Sequence, residues 1–156
     1  NAYTKCHYIS KNLLRKYFNF SICRNPYART YSLYKYTTSQ AISFDSFVLD
    51  LKEKFSKEKH FWFIRPQTDF IFKKNGGLAI DFLGKLETID KDFMYISKKS
   101  RLNVFNLPKR NISKAKAQDN FEINSIEDIK ENLSSQAIQL IIELYGRDFE
   151  LLNYEI

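Results

Sequence analysis

A short alternating segment that runs straight into an asparagine–proline pair limits the possible folds of this chain more than any other feature. From Tyr17 to Cys23, Phe18, Phe20 and Ile22 alternate with Asn19, Ser21 and Cys23, the period-two pattern of a strand. Arg24-Asn25-Pro26 follows at once. Asparagine is a good helix N-cap, and proline at the first helical position gives up only an N–H that lacks an intrahelical partner. The spacing of Tyr27, Tyr31 and Tyr34 carries this helix to about Thr38. A strand that delivers the chain directly to a helix start is the building unit of α/β domains.

The remaining pattern agrees with that class. A second helix is expected after Ser43, with Phe44, Phe47, Val48, Leu51 and Phe55 at helical spacing and Asp45 in its first turn. His60 to Phe72 reads as extended and aromatic and stops at the turn signal Asn75-Gly76-Gly77. Leu78 to Leu83 reads as another strand, with Gly84 at its end. Thr88 to Lys99 reads as a short helix carrying Ile89, Phe93 and Ile96 on one face, and Leu107 to Asn120 as a polar loop. The last helix opens on a Ser125/Asp128 capping box, presents Ile126, Ile129, Leu133, Ala137, Leu140, Ile141 and Leu144, and stops at Gly146. One α/β domain over residues 1–156 is the expectation.

Composition then excludes several classes. Two cysteines cannot build a disulfide scaffold, and no apolar run approaches the ~18 residues of a membrane span. Cys6, His7, Cys23 and His60 lack the spacing of a zinc site, so no metal is expected, and the Gly-x-Ser-x-Gly elbow of serine hydrolases is absent. With Lys+Arg 25 against Asp+Glu 18, the net charge of +7 suits a polyanionic partner. The same charge, scattered as it is, also serves simply to keep a chain with 14 Phe and 10 Tyr soluble.

Chemistry concentrates where the first strand meets the first helix. A helix N-terminus favours a bound phosphate or sulfate, and a guanidinium such as that of Arg24 can grip two anion oxygens at once. Arg29 and Ser32, three residues apart, fall on one side of the helix. The competing reading is a corner whose arginines pair with carboxylates elsewhere in the domain.

The segment Arg24-Asn25-Pro26-Tyr27-Ala28-Arg29-Thr30-Tyr31-Ser32-Leu33-Tyr34 resembles the Arg-Asn-Pro-Tyr-Asp-Arg-x-x-Ser-x-Tyr segment of the carbohydrate sulfotransferases (sulfotransferase family 2 type). Arg65-Pro66-Gln67-Thr68-Asp69-Phe70 is similar to that family's Arg-Pro-Gln-Ser-Asp-Phe segment. Asp81-Phe82-Leu83-Gly84-Lys85-Leu86-Glu87 with Asp92-Phe93 resembles its Asp-x-Ile-Gly-Arg-x-Glu…Asp-Phe run. Tyr145-Gly146-Arg147-Asp148-Phe149 and Asn153-Tyr154 resemble its closing pattern. Each piece alone is weak, but four in order are fairly specific.

The resemblance implies an α/β, P-loop-NTPase-like sulfotransferase fold with a central parallel sheet flanked by helices. It implies transfer of a sulfuryl group from 3′-phosphoadenosine 5′-phosphosulfate to a carbohydrate hydroxyl, without a metal. It further implies that Arg24 and Ser32 bind the 3′-phosphate, with Arg29 beside them. Two departures stand out. Ala28 replaces the family's Asp, removing a carboxylate able to pair with Arg29. The family's glycine-containing phosphosulfate loop has no counterpart, because no glycine precedes Gly76. With Asn1 in place of Met, the chain reads as the C-terminal portion of such a domain, one not expected to turn over alone.

Sulfuryl transfer needs a base for the acceptor hydroxyl. By analogy with the family, His7 is the candidate, against an ordinary surface histidine near a terminus. His60, Arg65 and Gln67 are candidates for the acceptor site, with Lys73-Lys74, Lys98-Lys99 and Lys109-Arg110 as basic patches that would suit an anionic saccharide. No specific nucleic acid is expected. Two alternatives remain open: a non-catalytic, aromatic-rich nucleic-acid or polyanion binder, and an inactive sulfotransferase relative. A cytoplasmic setting is the expectation, or the Golgi lumen if a membrane anchor lies upstream.

Overall fold

The computed structural model describes residues 12, 15–38, 42–57 (side chains through 53), 63–102, 104, 107 and 125–156. The chain divides into two compact units, each assembled from two stretches. Asn1–Arg24 joins Gln67–Arg110 in the first, and Asn25–Pro66 joins Asn111–Ile156 in the second.

In the first unit, strand β1 (Phe20–Cys23) pairs in parallel with β2 (Phe82–Lys85), in the register Phe20↔Phe82 to Cys23↔Lys85. Parallel pairing is what an α/β domain requires, and strands and helices combine here in the mixed α/β architecture the sequence leads one to expect. β1 starts later than the alternation suggests, and Cys23, not the Phe18/Phe20/Ile22 side, is its buried residue. Asp81 closes the lower end of the pair, accepting the Asn19 N–H at 2.8 Å.

Gly84 lies inside β2 instead of ending it. A Cβ there would come within 2.8 Å of Ile22 Cδ1 and 3.1 Å of Asp92 Cβ, so the close approach of these neighbours demands glycine. β2 begins four residues after the expected start, because Leu78 is already used in an antiparallel bridge to Phe72. The intervening turn needs Gly76, whose φ is 83°, and is closed by Lys73 N–H donating to Gly77 O at 2.8 Å. A single helical turn, α3 (Thr68–Ile71), replaces part of the extended segment expected up to Phe72, with Phe72 N–H donating to Thr68 O at 3.0 Å.

Helix α4 (Ile89–Lys99) packs on β2. Asp92 in its first turn accepts the Lys85 N–H at 2.8 Å and the Thr88 hydroxyl at 2.7 Å. These bonds, the Lys85 N–H foremost, hold its carboxyl below the usual carboxylate range.

The second unit is helical. Helix α1 (Pro26–Thr37) starts where Asn25 and Pro26 predict, and α2 (Phe44–Lys57) starts after Ser43, whose hydroxyl accepts the Ser46 N–H at 3.1 Å. The expected last helix is two. The capping box at Ser125 opens α5 (Ile126–Glu131), and a second cap, Ser134, opens α6 (Ser135–Leu151) by accepting the Ala137 N–H at 3.2 Å. The Asn132 side chain donates to Asp128 O at 2.7 Å, which satisfies the end of α5 and breaks the run. Gly146 does not stop α6; the chain kinks at Tyr145 (φ −121°) and continues to Leu151. Tyr27, Tyr34, Phe44, Phe47, Val48, Leu51, Ile141, Tyr145 and Phe149, each at most 5% exposed, form one aromatic-rich core.

Candidate functional site

Arg24 is the residue between β1 and the Asn25 cap. Its backbone N–H donates to Gln67 Oε1 at 3.0 Å, and Gln67 Nε2 donates to its carbonyl at 2.8 Å. One side-chain amide thus satisfies both peptide groups of Arg24. Gln67, expected at an acceptor site, has its amide engaged with the main chain of Arg24.

The N-terminus of α1 offers less than its sequence suggests. Pro26 has no N–H, the Tyr27 N–H donates to Asn25 Oδ1 at 2.9 Å, and the Arg29 N–H donates to Asn25 O at 2.8 Å. Most first-turn donors are therefore committed, so an anion held here would be met chiefly by side chains. Ser32 is exposed on α1.

Arg29, expected beside the anion ligands, is engaged with main-chain carbonyls and a carboxylate. Its side chain is 21% exposed and its guanidinium points into the second unit, where Nη2 donates to the carbonyls of Phe63 and, at 2.8 Å, Arg65. Nη1 lies 4.0 Å from Oδ2 of the fully buried Asp148, and the guanidinium carbon stands 5.6 Å from the centre of the Tyr145 ring. The Tyr145 hydroxyl donates to Ile64 O at 3.0 Å. Burial lowers the Arg29 pKa from its ordinary value, an effect opposed by the Tyr145 and Asp148 charges. Burial likewise pushes the Tyr145 phenol up to about 12.

Asp148 and Tyr145 appear in the sequence as parts of a closing pattern, with no partner evident. With Ala28 offering no carboxylate, the carboxylate facing Arg29 is that of Asp148. Arg65 exposes its side chain while its carbonyl serves Arg29. Glu87 is exposed, as are Lys73 and Lys74 in their turn and Lys98 and Lys99 at the end of α4. His7, His60 and Lys109-Arg110 lie outside the described residues.

Among the described residues, no group of three or more His, Cys, Asp or Glu side chains could hold a metal ion. Within the same set, no helix is long and apolar enough to cross a membrane. No curated protein and no solved structure matches the chain significantly. The sulfotransferase family model, by contrast, matches residues 2–155, and it includes every residue of the β1–Arg24–α1 corner and the Arg29–Asp148 contact. The chain belongs to the sulfotransferase family, and to its family 2 division.

Proposed function

We propose that this domain takes part in sulfuryl transfer from 3′-phosphoadenosine 5′-phosphosulfate to a carbohydrate hydroxyl, with Arg24 and Ser32 holding the donor's 3′-phosphate. The observation that carries the reading is the segment from β1 through Arg24 to the capped start of α1, in a chain matched along nearly its whole length by the sulfotransferase family. The donor chemistry fits. A guanidinium presents paired N–H groups that match two phosphate oxygens, and a serine hydroxyl donates one further bond.

In the proposed reaction the acceptor hydroxyl forms a bond to sulfur as the bond from sulfur to the 5′-phosphate oxygen breaks. The hydroxyl proton passes to a base, for which His7 is the proposed residue. Arg24 and Ser32 sit at the far phosphate and take no part in that proton transfer; they fix the nucleotide so that the reacting groups align. An anionic saccharide suits the domain's positive charge of +7.

Thermal denaturation tests the reading. Adenosine 3′,5′-bisphosphate at about 100 times its Kd is expected to stabilise the protein by about 2.7 kcal/mol. Adenosine 5′-monophosphate, lacking the 3′-phosphate, is expected to do much less at equal concentration. Equal shifts from both nucleotides, or none from the bisphosphate, contradict it.

A further inference from the structure

We infer that Gln67 is the positioning residue for Arg24: its side-chain amide fixes the backbone from which the phosphate-binding guanidinium projects. The inference rests on the proposed nucleotide site and adds a role for a residue that does not touch the ligand.

The β1–β2 ladder ends at the pair Cys23↔Lys85. Arg24 is the next residue, and the amide of Gln67 meets both of its peptide groups, accepting at 3.0 Å and donating at 2.8 Å. A glutamine side chain carries a donor and an acceptor side by side on one planar amide, so it can pair with a peptide as a neighbouring strand would. The clasp extends the ladder by one residue with a side chain in place of a strand. With N–H and C=O both fixed, the Cα–Cβ direction of Arg24 is fixed as well, and only side-chain rotations remain to be frozen on binding. Pre-organisation of this kind raises affinity without a new ligand contact.

Gln67 is itself held. It follows Pro66, whose ring fixes its own φ, and it opens α3 by accepting the Phe70 N–H at 3.0 Å through its carbonyl. Arg24 and Gln67 are also the residues at which the first unit's two stretches end and begin, before Asn25 and after Pro66. The clasp therefore joins the two stretches inside the unit, beside both chain crossings.

The test compares the full chain with Gln67→Ala, Gln67→Glu and Arg24→Ala. Isothermal titration gives the affinity for adenosine 3′,5′-bisphosphate, and the Arg24 Nε–Hε resonance reports the guanidinium. Gln67→Glu has the same shape and can still accept from Arg24 N–H but cannot donate to its carbonyl, so it remains informative if Gln67→Ala fails to fold.

Each Gln67 variant that folds is expected to bind about tenfold more weakly and to lose most of the bisphosphate-induced shift of that resonance. A merely structural role lowers the melting temperature but leaves both readouts of the folded protein unchanged. If Arg24→Ala abolishes binding while the folded Gln67 variants keep wild-type affinity and the wild-type shift, the positioning role is wrong and the nucleotide site stands. If Arg24→Ala binds like wild type, the nucleotide site and this inference fall together.

Discussion

The Arg29 guanidinium stands 4.0 Å from the carboxylate of Asp148, which is fully buried, and donates to the main-chain carbonyls of Phe63 and Arg65. Three distant stretches of the second unit, the first helix, the segment before Pro66 and the last helix, thereby meet at one cation. Each belongs to a segment that resembles a family pattern, so at this point the resemblance reflects architecture. In the proposed reading, phosphate binding falls to Arg24 and Ser32.

Arg29→Ala removes the cation facing the buried Asp148 and one donor to the Phe63 and Arg65 carbonyls. A loss of about 3 kcal/mol is expected, because removing one member of a buried charged pair is strongly destabilising. Arg29→Lys keeps the charge without the planar fork and is expected to recover part of the loss. Chemical denaturation measures both. A loss for Arg29→Ala below about 1 kcal/mol contradicts the bracing role.

Tyr145 makes the stability of the second unit sensitive to alkali. Burial raises its phenol from the free value of 10.0 to about 12 in the fold, so the folded state holds the proton more tightly. Its contribution is complete below pH 10.0 and is lost as pH rises from there through the folded value. Urea midpoints measured from roughly pH 9 to 11 should fall more steeply in wild type than in Tyr145→Phe. Identical slopes count against the burial of an un-ionised phenol.

Tyr27 sits in the same core with a hydroxyl that finds no hydrogen-bond partner among the described residues, beneath the Lys130 ammonium at 5.1 Å from the ring centre. Burial raises its pKa. Because the hydroxyl is desolvated and unpaired, Tyr27→Phe should be neutral or stabilising by about 1 kcal/mol. A clear destabilisation in a denaturant series shows that the hydroxyl is bonded.

Gly84→Ala is expected to destabilise the first unit by about 1–3 kcal/mol through overpacking. The new methyl meets Ile22 Cδ1 at 2.8 Å and Asp92 Cβ at 3.1 Å. Ile22→Val removes the nearer atom, so the double variant should lose less than the sum of the two single changes. Strict additivity in thermal melts sinks this explanation.

The parts of the fold legible in the sequence are those fixed by local signals. Asn25-Pro26 opens α1 as expected, Ser43 precedes α2, and the Ser125/Asp128 box starts α5. What misleads is punctuation whose meaning depends on neighbours. Gly146 reads as a stop, yet packing carries the helix on to Leu151, while Ser134 reads as interior and is a cap. Gly84 reads as a strand end because its reason for being glycine, the approach of Ile22 and Asp92, is tertiary. At the site, side-chain type alone marks Arg24, Arg29 and Gln67 alike as ligand-binding candidates. Only the coordinates show Arg29 committed to Asp148 and two carbonyls, and the amide of Gln67 to the Arg24 peptide groups.

The most direct measurement is isothermal titration of adenosine 3′,5′-bisphosphate into the wild-type chain, Arg24→Ala and Ser32→Ala at fixed ionic strength. Saturable one-site binding is expected for wild type, weakened about 10- to 100-fold by Arg24→Ala and up to about tenfold by Ser32→Ala. Unchanged affinity in Arg24→Ala, or binding that simply declines with added salt irrespective of either substitution, contradicts the account.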